Sequence, residues 1–122
     1  MDECFRHRKE LADEFKSFQK VFAALGDESR QQIFLTLLEN DIVGMRVCQI
    51  MQKVNLSRPA ISHHLQILKK AGLINMHKQG TMNYYYVDTS TQWWSGLDAL
   101  ATNINSVIKS AKQSGYPWFK ED

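Results

Sequence analysis

Residues 55–74 run NLSRPAISHHLQILKKAGLI, and residues 75–87 continue as NMHKQGTMNYYYV. Ser57 offers a side-chain oxygen to the unpaired amides of a first helical turn, and Pro59 falls where a missing N–H costs nothing. A helix therefore begins at about Arg58. It stops near Ala71, because Gly72 can take the left-handed conformation that closes a helix, and Lys69 and Lys70 lie where the C-terminal dipole favours cations. At about 100° per residue, Ile61, Leu65 and Leu68 form one narrow stripe that faces a core. Ser62, His63, Gln66 and Lys70 point the other way.

Those four side chains are short or hydrogen-bonding, as a helix needs in order to lie in a major groove and meet base edges. A plain solvated face tolerates the same residues. The preceding segment favours the groove reading: Val47, Ile50, Met51 and Val54 repeat at helical spacing, and Asn55 and Leu56 leave only a short turn before the Ser57 cap. Two helices joined this tightly form a helix-turn-helix. Leu73 then starts a hairpin that runs to Val87. Ile74 and Met76 alternate with Asn75 and His77 as in a half-buried antiparallel pair, Gly80 supplies the turn, and Lys78, Gln79 and Thr81 are left at the tip. The predicted class is mainly α with a small β-hairpin wing, a winged helix-turn-helix. Tyr84, Tyr85 and Tyr86 are rings on which single-stranded bases can stack, but the high β-propensity of Tyr explains them more simply as strand residues.

Charge concentrates on this module. Residues 1–40 carry 6 Lys or Arg against 8 Asp or Glu, residues 91–122 carry 3 against 3, and residues 41–90 carry 6 against 2. The chain's net charge of +2 thus conceals a local surplus of +4, the footprint expected of a duplex binder. The expected DNA contacts are Ser57, Arg58, Ser62, His63 and Gln66 on the helix, Lys69 and Lys70 near its end, and Lys78, Gln79 and Thr81 on the wing. Base edges suit Ser62, His63 and Gln66, Arg58 suits either base or phosphate, Lys69 and Lys70 suit phosphates, and Lys78, Gln79 and Thr81 can reach backbone phosphates or the adjacent minor groove.

Ala24-Leu25-Gly26-Asp27-Glu28-Ser29-Arg30 with Ile33, then Leu56-Ser57, Ile61-Ser62-His63-His64-Leu65, Leu68, Ala71-Gly72-Leu73, Gly80 and Tyr84-Tyr85-Tyr86 resemble the ArsR/SmtB family of bacterial winged-helix repressors. The likeness holds in order and spacing over residues 18–90. It implies a homodimeric, cytoplasmic transcriptional regulator, usually a repressor released from its operator by an effector.

A chain of 122 residues, 43% hydrophobic and 23% charged, fits one domain spanning residues 1–122. No apolar run approaches the roughly 20 residues that span a bilayer, and the polar start MDECFRHRKE is not a signal peptide. A cytoplasmic protein is expected, with Cys4 and Cys48 as thiols and no membrane partner. Both ends carry apolar seams: Leu11, Phe15, Phe18, Phe22 and Leu25 in a helix over about residues 5–25, and Leu97, Ala101, Ile104, Ile108 and Ala111 in one over about residues 91–114. Such seams need a partner surface. Ile33, Phe34, Leu37, Leu38, Ile50, Ile61, Leu65 and Leu68 already supply a core, so the terminal seams are expected to pair across a two-fold axis, and the resemblance places the first and last helices in a dimer interface. Two symmetry-related helices then address a palindromic site with half-sites about one helical turn apart.

Catalysis is not expected. His63 and His64 are helix neighbours whose side chains diverge by about 100°, and the chain has no nucleophile elbow, phosphate-binding glycine loop or paired carboxylates. His64 is expected at the edge of the core stripe in an interhelical hydrogen bond. No cofactor is implied. Metal-sensing members of the resembled family carry Cys-x-Cys before the recognition helix, but this chain reads Arg46-Val47-Cys48, and residues 97–114 contain Asp98 and no His. Both usual metal sites are incomplete, since a closed Zn²⁺ site wants about four ligands. Three functions stay open at this point: a dimeric repressor without a standard metal site, a metal- or thiol-responsive repressor using Cys4, His7 and Cys48, and a winged-helix interaction module that does not bind DNA. The aromatic tail Gly115-Tyr116-Pro117-Trp118-Phe119 is expected to pack on the protein's own helices, its alternatives being a partner or a small apolar effector.

Overall fold

Ile61, Leu65 and Leu68 are fully excluded from solvent, so the inferred stripe is the side on which the helix packs. The computed structural model describes residues 3–40, 43–113 and 115. The elements are α1 (Glu3–Ser17), α2 (Gln19–Leu25), α3 (Glu28–Glu39), α4 (Val47–Lys53), α5 (Arg58–Lys70), β1 (Ile74–Gln79), β2 (Met82–Val87) and α6 (Trp93–Gln113). They fall into two compact units, Lys20–Thr91 and Met1–Gln19 with Gln92–Asp122. Among the described residues no helix is long and apolar enough to cross a membrane.

The unit over Lys20–Thr91 is a mainly helical winged helix-turn-helix. Asp27 caps α3 by accepting the Arg30 amide at 3.0 Å, and this bond is the main reason its carboxyl titrates below the usual carboxylate range. Ser57 caps α5, accepting from the Ala60 amide at 3.3 Å. At the other end Ala71 is the C-cap, Gly72 has φ +83°, and the Leu73 and Gly72 amides return to Leu68 O and Lys69 O at 3.1 and 3.0 Å. This paired closure satisfies two carbonyls of the last turn and turns the chain directly into β1. The first strand residue is Ile74 rather than Leu73, which is spent on that closure.

The hairpin pairs Ile74 with Val87 through Gln79 with Met82, and Gly80, at φ +63°, opens its tight turn. An unanticipated pairing lies on its other edge. Met45 forms an antiparallel bridge with Tyr85, the two amides each reaching the other's carbonyl at 2.8 Å. Gly44 permits it: φ is +98°, and a Cβ there would stand 2.8 Å from the Tyr85 carbonyl oxygen. Tyr85 is consequently buried, while Tyr84 stacks on His77 with centroids 5.3 Å apart. The strand reading of the tyrosines agrees with this packing.

Ile33, Ile50, Ile61, Leu65, Leu68, Leu73 and Ile74 form the driest part of the core, each contributing about 1.5–3 kcal/mol through burial. Leu38 does not join them. It is 50% exposed, because Ile33, Phe34 and Leu37 define the inward side of α3 and a further step of about 100° carries Leu38 off it.

The other unit holds α1 and α6, which pack against each other. The first helix ends earlier than its seam implies. The Ser17 hydroxyl donates to the Glu14 carbonyl at 2.6 Å, and the Phe18 amide turns to Phe15 O at 3.1 Å, so the single helix expected over residues 5–25 divides into α1 and α2. The buried residues of α6 are Leu100 and Ala111; Ala111 belongs to the seam read in the sequence, whereas Leu100 does not. Phe18 is also buried, against Gly96, where a Cβ would come within 2.9 Å of its ring. Asn103 donates to Glu14 at 2.6 Å.

Candidate nucleic-acid interface

The closure of α5 at Gly72 and the pairing of the wing determine what stands near the recognition helix. Arg58 and Ser62 of α5, Thr81 at the hairpin tip and Arg46 at the start of α4 line one cleft of about 370 Å³, with Cys48 and Asn83 also on its wall. A cleft with two guanidiniums and two hydroxyls is suited to phosphate oxygens, to which Arg presents paired donors. Arg46 is held there: its amide donates to Gln49 Oε1 at 2.9 Å and Nη1 reaches Met82 Sδ at 3.2 Å.

Each residue expected to touch DNA can be located. Ser57, Arg58, Ser62, His63, Gln66, Lys70, Lys78, Gln79 and Thr81 are exposed, and Lys69 is half-buried. Exposure on α5 alternates with the Ile61, Leu65 and Leu68 stripe, so its polar side and its packed side are distinct. His63 faces solvent. His64 makes the expected interhelical hydrogen bond, its Nδ1 lying 3.3 Å from Arg30 Nη1. Because guanidinium can only donate, Nδ1 accepts and the proton of the neutral ring is on Nε2. The His63 and His64 rings lie 5.7 Å apart between centroids, tilted by 54°, closer than the helical spacing alone suggests. Arg30 nevertheless keeps the His64 nitrogen occupied.

Arg46 and Asn83 are cleft residues that sequence reasoning does not place there. Arg46 is visible in the sequence as one of the cations of the basic module, yet its position there reads only as a substitute for a metal ligand. Asn83 gives no signal, since its placement depends on the hairpin register. Cys48, expected as a thiol and named in the metal- or thiol-responsive alternative, is half-buried on the cleft wall. Among the described residues no three His, Cys, Asp or Glu side chains are grouped to hold a metal. The Cys4 side chain and Tyr116, Pro117, Trp118 and Phe119 of the tail lie outside the described residues.

The seam residues divide. Phe18 and Ala111 are buried within the chain, Leu11 and Ile104 are half-buried, and Phe15, Phe22, Leu97, Ala101 and Ile108 are exposed.

A profile of the bacterial regulatory protein, arsR family, matches residues 27–76. The chain is 41% identical over 75 residues to an HTH-type transcriptional regulator of Methanocaldococcus jannaschii, covering 62% of this chain and 82% of that one. It is 40% identical over 70 residues to the transcriptional repressor SdpR of Bacillus subtilis, covering 57% of this chain and 74% of the repressor. An ArsR-like transcriptional regulator from a Rhodococcus species has the same fold, with TM-score 0.61 and 25% identity over 82% of this chain and 87% of that one. The relatives are regulators rather than enzymes. The chain belongs to the ArsR family of winged helix-turn-helix, DNA-binding transcriptional regulators.

Proposed function

We propose that the chain works as a homodimeric, cytoplasmic repressor that reads a palindromic operator through α5 and holds the phosphate backbone through the hairpin tip and the cleft beside it. The observation that carries this is the cleft itself, where Arg58 and Ser62 of the reading helix, Thr81 of the wing and Arg46 of the preceding helix share one wall. A solvated surface has no reason to gather two guanidiniums around a concave space.

Base reading falls to Ser62, His63 and Gln66, whose side chains hydrogen-bond to base edges; Arg58 serves either base or phosphate. Lys69, Lys70, Lys78, Ser57, Gln79 and Thr81 bind the backbone, and Arg46 joins them. The exposed apolar residues Phe15, Phe22, Leu97 and Ile108, with Leu11, Ala101 and Ile104, supply the dimer interface.

Selection of bound duplexes from a random library tests DNA binding and yields the operator in one experiment. On that operator, His63→Ala combined with Gln66→Ala is expected to weaken specific binding by about 1–3 kcal/mol for each base that is no longer read, with the fold unchanged by circular dichroism. Wild-type affinity in the double variant would mean that α5 is not the reader.

A further inference from the structure

A second concavity lies away from the phosphate cleft, within the unit that carries the recognition helix. It has about 320 Å³ and is lined by Ala23 and Ala24 of α2, Ile67 of α5 and its C-cap Ala71, with Lys20, Arg30 and Lys70 around it. The floor is apolar and every charged residue at the rim is a cation. Arg30 is fixed, donating through Nε to Ala24 O at 2.7 Å and through Nη2 to Ala23 O at 3.3 Å, and Asp27 lies close enough to offset part of its charge. Lys20 and Lys70 are exposed and have no acidic partner among the described residues.

We infer that this groove is a binding site for a small amphipathic carboxylate, an aromatic or short-chain acyl acid, whose anionic head sits between Lys20 and Lys70 and whose apolar body covers Ala23, Ile67 and Ala71. Charge complementarity selects an anion, and the alanine and isoleucine floor selects one with an apolar body. The volume stands at the low end of the roughly 300–1,000 Å³ of small-molecule sites, which excludes long chains and polycyclic bodies. This inference rests on the DNA-binding reading for its consequence only: Lys70 is one of the proposed phosphate ligands, so a carboxylate seated beside it competes with the backbone for that charge and weakens operator binding. By linkage the operator weakens carboxylate binding by the same factor.

The site is tested without DNA, by calorimetric titration of the full chain with octanoate and, separately, benzoate, using octanol and inorganic phosphate as probes that lack the charge or the body. Saturable binding of at least one carboxylate is expected with Kd near or below about 1 mM, at least several-fold tighter than octanol or phosphate. Lys20→Gln should weaken it several-fold. Ala23→Trp, at an exposed position that tolerates the ring, should abolish it. No saturable binding of either acid, equal binding of octanol or phosphate, or unchanged binding in both variants overturns the site. Operator affinity is then measured with and without saturating carboxylate. A several-fold loss supports the regulatory role, and an unchanged affinity overturns that role while the titration upholds the site. A protein that binds the carboxylate but no duplex would count against the DNA-binding reading instead, leaving the groove upheld.

Discussion

The two units of this chain solve the burial problem differently. Residues 20–91 close their own core: seven large side chains from three helices, the α5–β1 turn and a strand are almost wholly dry. Among the described residues of 3–19 and 92–115 the buried apolar side chains are Phe18, Leu100 and Ala111, while Phe5, Phe15, Leu97 and Ile108 stand 38–45% exposed. A unit of the first kind is stable through its own packing. Exposed apolar side chains do not separate the units, since Phe22, Leu35, Leu38, Val43, Met51 and Met82 of the middle unit are also 38–55% exposed; what separates them is the size of the core each closes, and the proposed dimerisation through the terminal helices rests on the smaller one.

The contrast can be broken most forcefully at Leu65. Leu65→Ala empties a fully buried site and is expected to destabilise the protein by about 2–5 kcal/mol, measured by urea unfolding at fixed protein concentration. A loss below about 1 kcal/mol would mean that the middle unit is not the self-sufficient one.

Phe15→Glu addresses the other unit. It places a carboxylate on an exposed seam residue, so it is expected to shift the protein from dimer to monomer in sedimentation while the spectrum of the winged-helix unit persists. A wild-type protein already monomeric at micromolar concentration would defeat the dimer, and with it the palindromic operator.

The third effect is smaller and depends on pH. Asp88 is 8% exposed and accepts from the Ser90 hydroxyl at 2.6 Å, the Ser90 amide at 3.0 Å and Asn75 Nδ2 at 3.2 Å. These bonds, that from the Ser90 hydroxyl foremost, hold its carboxyl below the usual range. A lowered carboxyl contributes stability that is present above the ordinary pKa of about 4 and is lost as pH falls through the lowered value. Acid titration of unfolding should therefore show a shallower loss below pH about 4 in Asp88→Asn than in wild type. Parallel curves would remove Asp88 from the acid sensitivity of the middle unit.

The smallest change touches neither core. Lys78→Ala at the wing tip should leave both units equally stable and flatten log affinity against log salt by about one unit per subunit, on operator and random duplex alike. An unchanged slope means that the wing does not touch the backbone, and a loss confined to the operator means that it reads sequence.

Local chemistry makes the middle of the chain legible without coordinates. Ser57, Pro59 and Gly72 bound α5 correctly because caps act within a few residues of themselves, and the alternating hairpin with Gly80 follows from the same kind of short-range rule. Features that depend on distant chain are hidden. The Met45 bridge to Tyr85 joins residues 40 positions apart; the break at Phe18 turns on one serine hydroxyl competing for a carbonyl; and the choice of Leu100 over Ala101 as an inward residue depends on the rotation of α6. The separation of α5 into a polar and a packed side is readable from its periodicity, whereas Arg46 enters the cleft only once the wing is in place beside α4.

Gly72 gives the interface a property that its residues do not convey singly. The chain passes from α5 to the wing through Ala71, Gly72 and Leu73 alone. At this joint the Leu73 amide is tied back to Leu68, the Asp88 amide to the Leu73 carbonyl at 3.1 Å, and the Thr91 hydroxyl to the Gly72 carbonyl at 3.0 Å. With so little slack, the distance from Ser62, His63 and Gln66, the proposed base readers, to Lys78 is set at folding like a ruler. On the proposed DNA-binding reading, the ordering entropy of the joint is spent before DNA arrives rather than on encounter, and a duplex whose groove and flanking phosphates do not match the ruler is then not accommodated by swinging the wing.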